Sequence, residues 1–220
     1  MNQKNIEQEN KNDYSIESIQ QNTILFVEGK IACKFIHKFL EKNELNQKVQ
    51  ISNYGSHEEL ESKLKVISKL PNFKEKVTTL AILADVEYDK TYSGRIDSYK
   101  KQIKACEFYI ESLSQEFSNC QFADIDRRIG IYLFPNNKEQ GMMETLLYSS
   151  IEDQNIKNCI ENYFECSNAE ITNKDKARVA SFLSIKYPQK PELWTSFDKN
   201  IWDFEHEKFN GLKKFLKDSI

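Results

Sequence analysis

The run Thr78-Thr79-Leu80-Ala81-Ile82-Leu83-Ala84 constrains this chain more than any other stretch. It is short, apolar and rich in β-favouring residues, and polar residues bound it. Such a run reads as a buried strand. Three carboxylates then follow at alternate positions, Asp85, Glu87 and Asp89. In open α/β sheets, ligands bind just beyond the carboxyl ends of the strands. Two carboxylates ~5 Å apart repel by roughly 3 kcal/mol at an effective dielectric of ~20. A divalent cation removes that cost, and Mg²⁺ favours one or two carboxylates completed by water and phosphate oxygens. The plainer reading of the same residues is a solvated acidic loop.

A second acid sits in a matching place. Residues 23–27, Thr-Ile-Leu-Phe-Val, form another strong strand pattern and end in Glu28-Gly29-Lys30. Ile31, Phe35, Ile36, Phe39 and Leu40 then recur at helical spacing. Gly29 permits a sharp strand-to-helix turn. The Gly-Lys pair is not a phosphate-binding P-loop, because Ile24 stands where that motif needs its first glycine and Ile31 where it needs Ser or Thr. Residues 49–54 suit a further strand, with Ser56 and Glu59 spaced as a capping box. A polar helix is expected over residues 96–117, and another strand over residues 128–134. Strand and helix patterns alternate, which predicts a parallel sheet of about four strands covered by helices. After Ser150 only helical patterns remain. Three segments follow: a flexible N-terminal arm over residues 1–21, disordered or loosely attached, an α/β domain over 22–150, and a C-terminal helical extension over 151–220 packed on it.

Composition sets the remaining bounds. The 220 residues suffice for a substantial core, and 6 Gly with 4 Pro leave little room for long linkers. A net charge of −3 argues against broad electrostatic capture of nucleic acid, although a local basic groove or a metal-bridged phosphate contact is compatible with it. The 5 cysteines include no CxxC pair and read as reduced thiols. No apolar stretch reaches the ~20 residues of a membrane span, and no basic-then-apolar leader pattern opens the chain, so a cytoplasmic location without membrane contact is expected.

Glu28-Gly29 after a first strand, then a hydrophobic strand running into Asp85-Val86-Glu87, resembles the Toprim domain of topoisomerases, primases, RecR-like repair proteins and OLD-family nucleases. Pro135-Asn136-Asn137 followed by Gly141-Met142-Met143-Glu144-Thr145-Leu146-Leu147 is similar to a segment of an uncharacterised Toprim-like family. The likeness covers roughly residues 23–150. It implies a Rossmann-like Toprim sheet and a Mg²⁺- or Mn²⁺-dependent nuclease acting on nucleic acid, DNA more than RNA. In that reading Glu28 is a metal ligand or the general acid/base. Asp85 binds the metal directly, Glu87 stands where a second Asp is usual, Asp89 is an outer acid and Glu144 completes a second metal position. Lys176, or its neighbour Lys174, contributes a charge to the phosphate. Small proteins of this kind resemble components of mobile-element and phage-defence systems. The competing reading is a Toprim phosphate-binding module without catalysis, working through a partner protein. From the residues alone, Arg127-Arg128 reads as surface or as a phosphate contact, and Tyr88, Tyr92 and Tyr99 as base-stacking or packing groups.

Overall fold

The structure is a computed structural model and describes residues 14–113, 116–168 and 170–220. The run after Thr78 forms β3 (Thr79–Asp85), and its alternation explains the layering around it. Leu80, Ile82 and Ala84 point to one face of the sheet, and Ala81 and Leu83 to the other. Both sets are fully buried, so β3 needs cover on two sides, as central parallel strands do.

β3 lies between β1 (Thr23–Glu28) and β6 (Ile125–Phe134), parallel to both. β2 (Val49–Gly55) extends the parallel part beyond β1. Beyond β6 the sheet changes direction: β5 (Ser118–Phe122) and the two-residue β4 (Tyr109–Ile110) pair antiparallel. The six-stranded mixed sheet has the order β2-β1-β3-β6-β5-β4. The expectation of about four parallel strands thus describes one part of the sheet and omits its antiparallel edge.

The helix expected over residues 96–117 is shorter and begins earlier, as α4 (Tyr92–Lys104). Thr91 caps its first turn by accepting the Gly94 N–H. Past the helix, Glu107 adopts a left-handed φ of 65°, which the helix cannot continue through. The apolar residues Cys106, Ile110 and Leu113 still reach the core, but from a turn, a strand and the loop after it. Residues 114–115 of that expected helix lie outside the described residues.

One face of the sheet is covered by α2 (Leu60–Ile67), the short α3 (Phe73–Lys76) and α4. The other carries α1 (Lys30–Lys42), α5 (Met143–Ser149) and the C-terminal helices. These are α6 (Gln154–Ser167), α7 (Lys174–Lys186), α8 (Leu193–Ser196) and α9 (Asn210–Ser219). The extension shares a single core with the sheet. Phe35 of α1 meets the rings of Phe134, Phe197, Phe204 and Phe209 at centroid distances of 5.7–6.1 Å. Polar ties add to this: the Thr23 hydroxyl donates to the Ser219 carbonyl at 3.0 Å, and Arg128 donates to the Asp218 carbonyl at 2.5 Å.

Two local expectations are corrected. The N-terminal arm expected over residues 1–21 is attached where it is described: Ile19 is buried, the Tyr14 carbonyl accepts the Asn53 N–H at 2.9 Å, and Gln50 bonds to the backbone of Gln20 and Gln21. Residues 1–13 lie outside the described residues. Arg127 is neither surface nor a phosphate contact. It is buried, donates to the carbonyls of Phe122, Ile125 and Lys74, and packs over Phe73 and Phe122.

Phe209 tests the shared core. It is fully buried between Phe35, Phe39 and Phe204. Phe209→Ala should lower the unfolding free energy by about 3–5 kcal/mol in a urea titration. A loss below about 1 kcal/mol would mean that the extension packs loosely on the sheet domain.

Candidate functional site

The parallel register fixes which acids meet. Val27 pairs with Leu83, so Glu28 and Asp85 emerge at neighbouring strand ends on one rim. Gly29 follows with φ 82°, a left-handed value that starts α1 directly after the strand. On the far side of β3, Asp85 pairs with Phe134, and the chain returns over the rim through residues 135–142 into α5. There the Met143 N–H donates to Asp85 Oδ1 at 2.8 Å. Glu144, next in the first turn of α5, is buried.

The electrostatics follow from that geometry. Burial pushes Asp85 well above the usual carboxylate range, and repulsion from Glu144 and Glu28 adds to it. The Met143 N–H and the Lys176 ammonium oppose the shift. Glu144 is raised by burial, with Lys176 opposing and Asp175 adding repulsion. Glu28 is raised by burial, with Arg95 opposing it and Glu87 adding repulsion. Asp85 therefore feels the charges of both Glu144 and Glu28, and Lys176 at the start of α7 acts on Asp85 and Glu144. Lys174 faces elsewhere and pairs with Glu161 at 3.3 Å.

Glu28 also has a polar cradle that the sequence did not reveal. The hydroxyls of Tyr54 and Tyr99 each lie 3.3 Å from its Oε2 and 3.0 Å from each other. Both tyrosines are buried, so Tyr99 is not available to stack on a base. Tyr92 is half-buried, and Tyr88 is exposed on the loop after β3.

Glu87 and Asp89 stand apart from Asp85. Glu87 adopts φ 65°, and its carboxylate takes a 2.6 Å hydrogen bond from Arg95, whose guanidinium also donates to the Val86 carbonyl. Asp89 is exposed and pairs with Lys90 at 2.9 Å. Together with Glu28, His57 and Arg95 they line a polar cleft of about 750 Å³ beside the rim. Among the described residues, no group of three or more His, Cys, Asp or Glu side chains is arranged to hold a metal ion. What the rim does bring together is Asp85 with Glu144, and Glu28 beside them. One or two carboxylates are the usual protein share of a Mg²⁺ site.

The fold and rim define an α/β protein with a mixed, helix-flanked sheet and an acidic site at the ends of its parallel strands. A family described as "Protein of unknown function (DUF3226)" matches residues 22–220, and the chain belongs to it. The match includes the C-terminal helices together with the sheet. No curated protein and no solved structure matches the chain. No helix among the described residues is long and apolar enough to cross a membrane.

The raised carboxyls make a pH prediction. A carboxyl whose folded pKa exceeds its unfolded one favours the folded state most when protonated. Its contribution is full below the unfolded pKa and is lost as pH rises through the folded value. Without divalent ions, Asp85→Asn should therefore gain most over the parent at about pH 8 and least at about pH 5, read as the difference in urea midpoints. A difference that does not change with pH would mean that Asp85 is not strained by burial and by its neighbours.

Proposed function

We propose that this is a Toprim-like nuclease that uses Mg²⁺ or Mn²⁺ to cleave phosphodiester bonds in nucleic acid, DNA ahead of RNA. The observation that carries the reading is the meeting of Glu28 and Asp85 on adjacent parallel strands, with Glu144 and Lys176 acting on Asp85. Enclosed acids with raised pKa values repel one another, and the donor set suits a hard cation completed by water and phosphate oxygens. Asp85 and Glu144 would hold the ion. When bound, Mg²⁺ supplies charge neutralisation for the phosphate and acidifies a water molecule.

The chain's own residues supply the rest. Glu28, cradled by Tyr54 and Tyr99, is the group that exchanges a proton with the attacking water. Lys176 offers a point charge to a phosphate oxygen. Glu87 and Asp89, expected as metal ligands, are better read as lining the cleft, since Arg95 and Lys90 engage their carboxylates.

The Glu87–Arg95 pair also favours the second reading, a phosphate-binding module without catalysis, because Arg95 engages an acid that the resemblance gives a metal-binding role. Cleavage decides between the two. Purified protein incubated with plasmid and single-stranded DNA and RNA should cut with Mg²⁺ or Mn²⁺ and not with EDTA. Asp85→Asn should abolish cutting while still folding, and Glu28→Gln should slow it by ~10²–10⁴-fold. If the parent cuts none of these substrates with either ion, the binding-module reading replaces the nuclease.

A further inference from the structure

We infer that Asp175 is a positioning residue. It ties the loop after β3 and the first turn of α5 to the C-terminal extension, and so presents Lys176 to Asp85 and Glu144. The inference rests on the reading of Asp85 and Glu144 as the metal-binding pair.

Asp175 lies in the first turn of α7, where an acid is ordinarily solvated and helped by the helix dipole. Here it is 2% exposed. Burying a carboxylate is costly unless its oxygens are filled, and three elements fill them. Oδ2 accepts hydrogen bonds from the Tyr88 hydroxyl of the loop after β3 and from the Thr145 hydroxyl of α5. Oδ1 accepts from Arg178 at 2.9 Å. Arg178 is fixed in turn by a two-pronged bond to Glu161 of α6, at 2.7 and 3.0 Å. Burial, the largest influence on Asp175, would raise its pKa, but the bonds from Thr145, Tyr88 and Arg178 more than offset it, and the group stays charged.

Each hydroxyl leads on to the site. Thr145 Oγ1 accepts the Met142 N–H at 2.9 Å, and the following amide, Met143, holds Asp85. Gly141 leaves room for this arrangement, since a Cβ there would lie 2.6 Å from Thr145 Oγ1. Its carbonyl accepts the Glu87 N–H at 2.9 Å, linking the two loops. Tyr88 is 51% exposed, so packing does little to hold its ring, and its hydroxyl is what anchors it. Lys176 follows Asp175 directly, and fixing one fixes the start of α7 that carries the other. Tyr88, one of the three tyrosines read as base-stacking or packing groups, thus has a structural duty at its hydroxyl and leaves its ring half exposed.

The test uses the full chain and the variants Asp175→Asn, Thr145→Val and Thr145→Ser. Hydrogen exchange is measured without metal, and Mn²⁺ affinity by calorimetry. Asp175→Asn replaces one acceptor oxygen with an amide, so residues 86–91 and 142–146 should exchange ~10-fold faster while β1 and β2 stay as protected as in the parent. Mn²⁺ affinity should fall by ~10–100-fold, the range for residues that orient metal ligands. Thr145→Val should behave alike, and Thr145→Ser, which restores the hydroxyl, should match the parent. Should Asp175→Asn fail to fold, the Thr145 pair decides. Unchanged local exchange in the variants, or Thr145→Ser behaving like Thr145→Val, overturns the inference. If the parent takes up no Mn²⁺, the metal reading fails, and the exchange pattern alone then upholds or overturns the role of Asp175.

Discussion

β3 is hydrogen-bonded on both sides, to β1 and to β6, and the rim depends on that double pairing. The register with β1 carries Glu28 to the end of the strand next to Asp85. The register with β6 brings Phe134 opposite Asp85, so the chain that leaves β6 must pass over the same rim before α5 begins. That return supplies the Met143 amide and Glu144. A slip of one residue in either pairing would turn Leu80, Ile82 and Ala84 to the opposite face and take the acids with them. The buried alternation along β3 thus fixes both the core and the positions of the charges.

The C-terminal extension has two physical duties that are hard to separate. It covers an apolar sheet face that α1 cannot cover alone, through Phe197, Phe204, Phe209 and Phe215. It also delivers Lys176 and Asp175 to the rim from the start of α7. The family match running from residue 22 to residue 220 is in keeping with a single unit in which sheet and extension fold together. Arg178, held by Glu161 and Asp175, joins α6 to α7 and depresses the Glu161 carboxyl to about 2. Because that pair is partly exposed, its value lies more in orientation than in stability.

Much of this was readable from residues in order. The strands ending at Glu28 and Asp85 were visible because both faces of each are apolar, and their ends are marked by charge. The helical extension was visible from its periodicity, whereas Lys176 came only from the resemblance, since a lysine at a helix start is ordinarily solvated. The antiparallel edge was not visible. β4 has two residues, and Cys106, Ile110 and Leu113 keep a helical spacing although Glu107 turns the chain out of the helix. Nor were the cradle of Tyr54 and Tyr99 around Glu28, the capture of Glu87 by Arg95, or the burial of Arg127. Each of these joins residues from different elements, or fills carbonyls left by a turn, and periodicity carries no information about such partners. The sequence marks Asp175 only by its closeness to Lys176, and its burial is a tertiary fact.

The central claim is that Asp85, flanked by Glu144 and Glu28, is the centre of a cation site. A crystal of the parent protein soaked in Mn²⁺ tests it most directly, through the anomalous scattering of the ion. The account predicts a peak bonded to the Asp85 carboxylate at the distance of a direct ligand, ~2.0–2.2 Å as for other small hard cations, with Glu144 or Glu28 beside it. A peak confined to Glu87 and Asp89, or no peak at the rim in crystals that hold Mn²⁺ elsewhere, would contradict it.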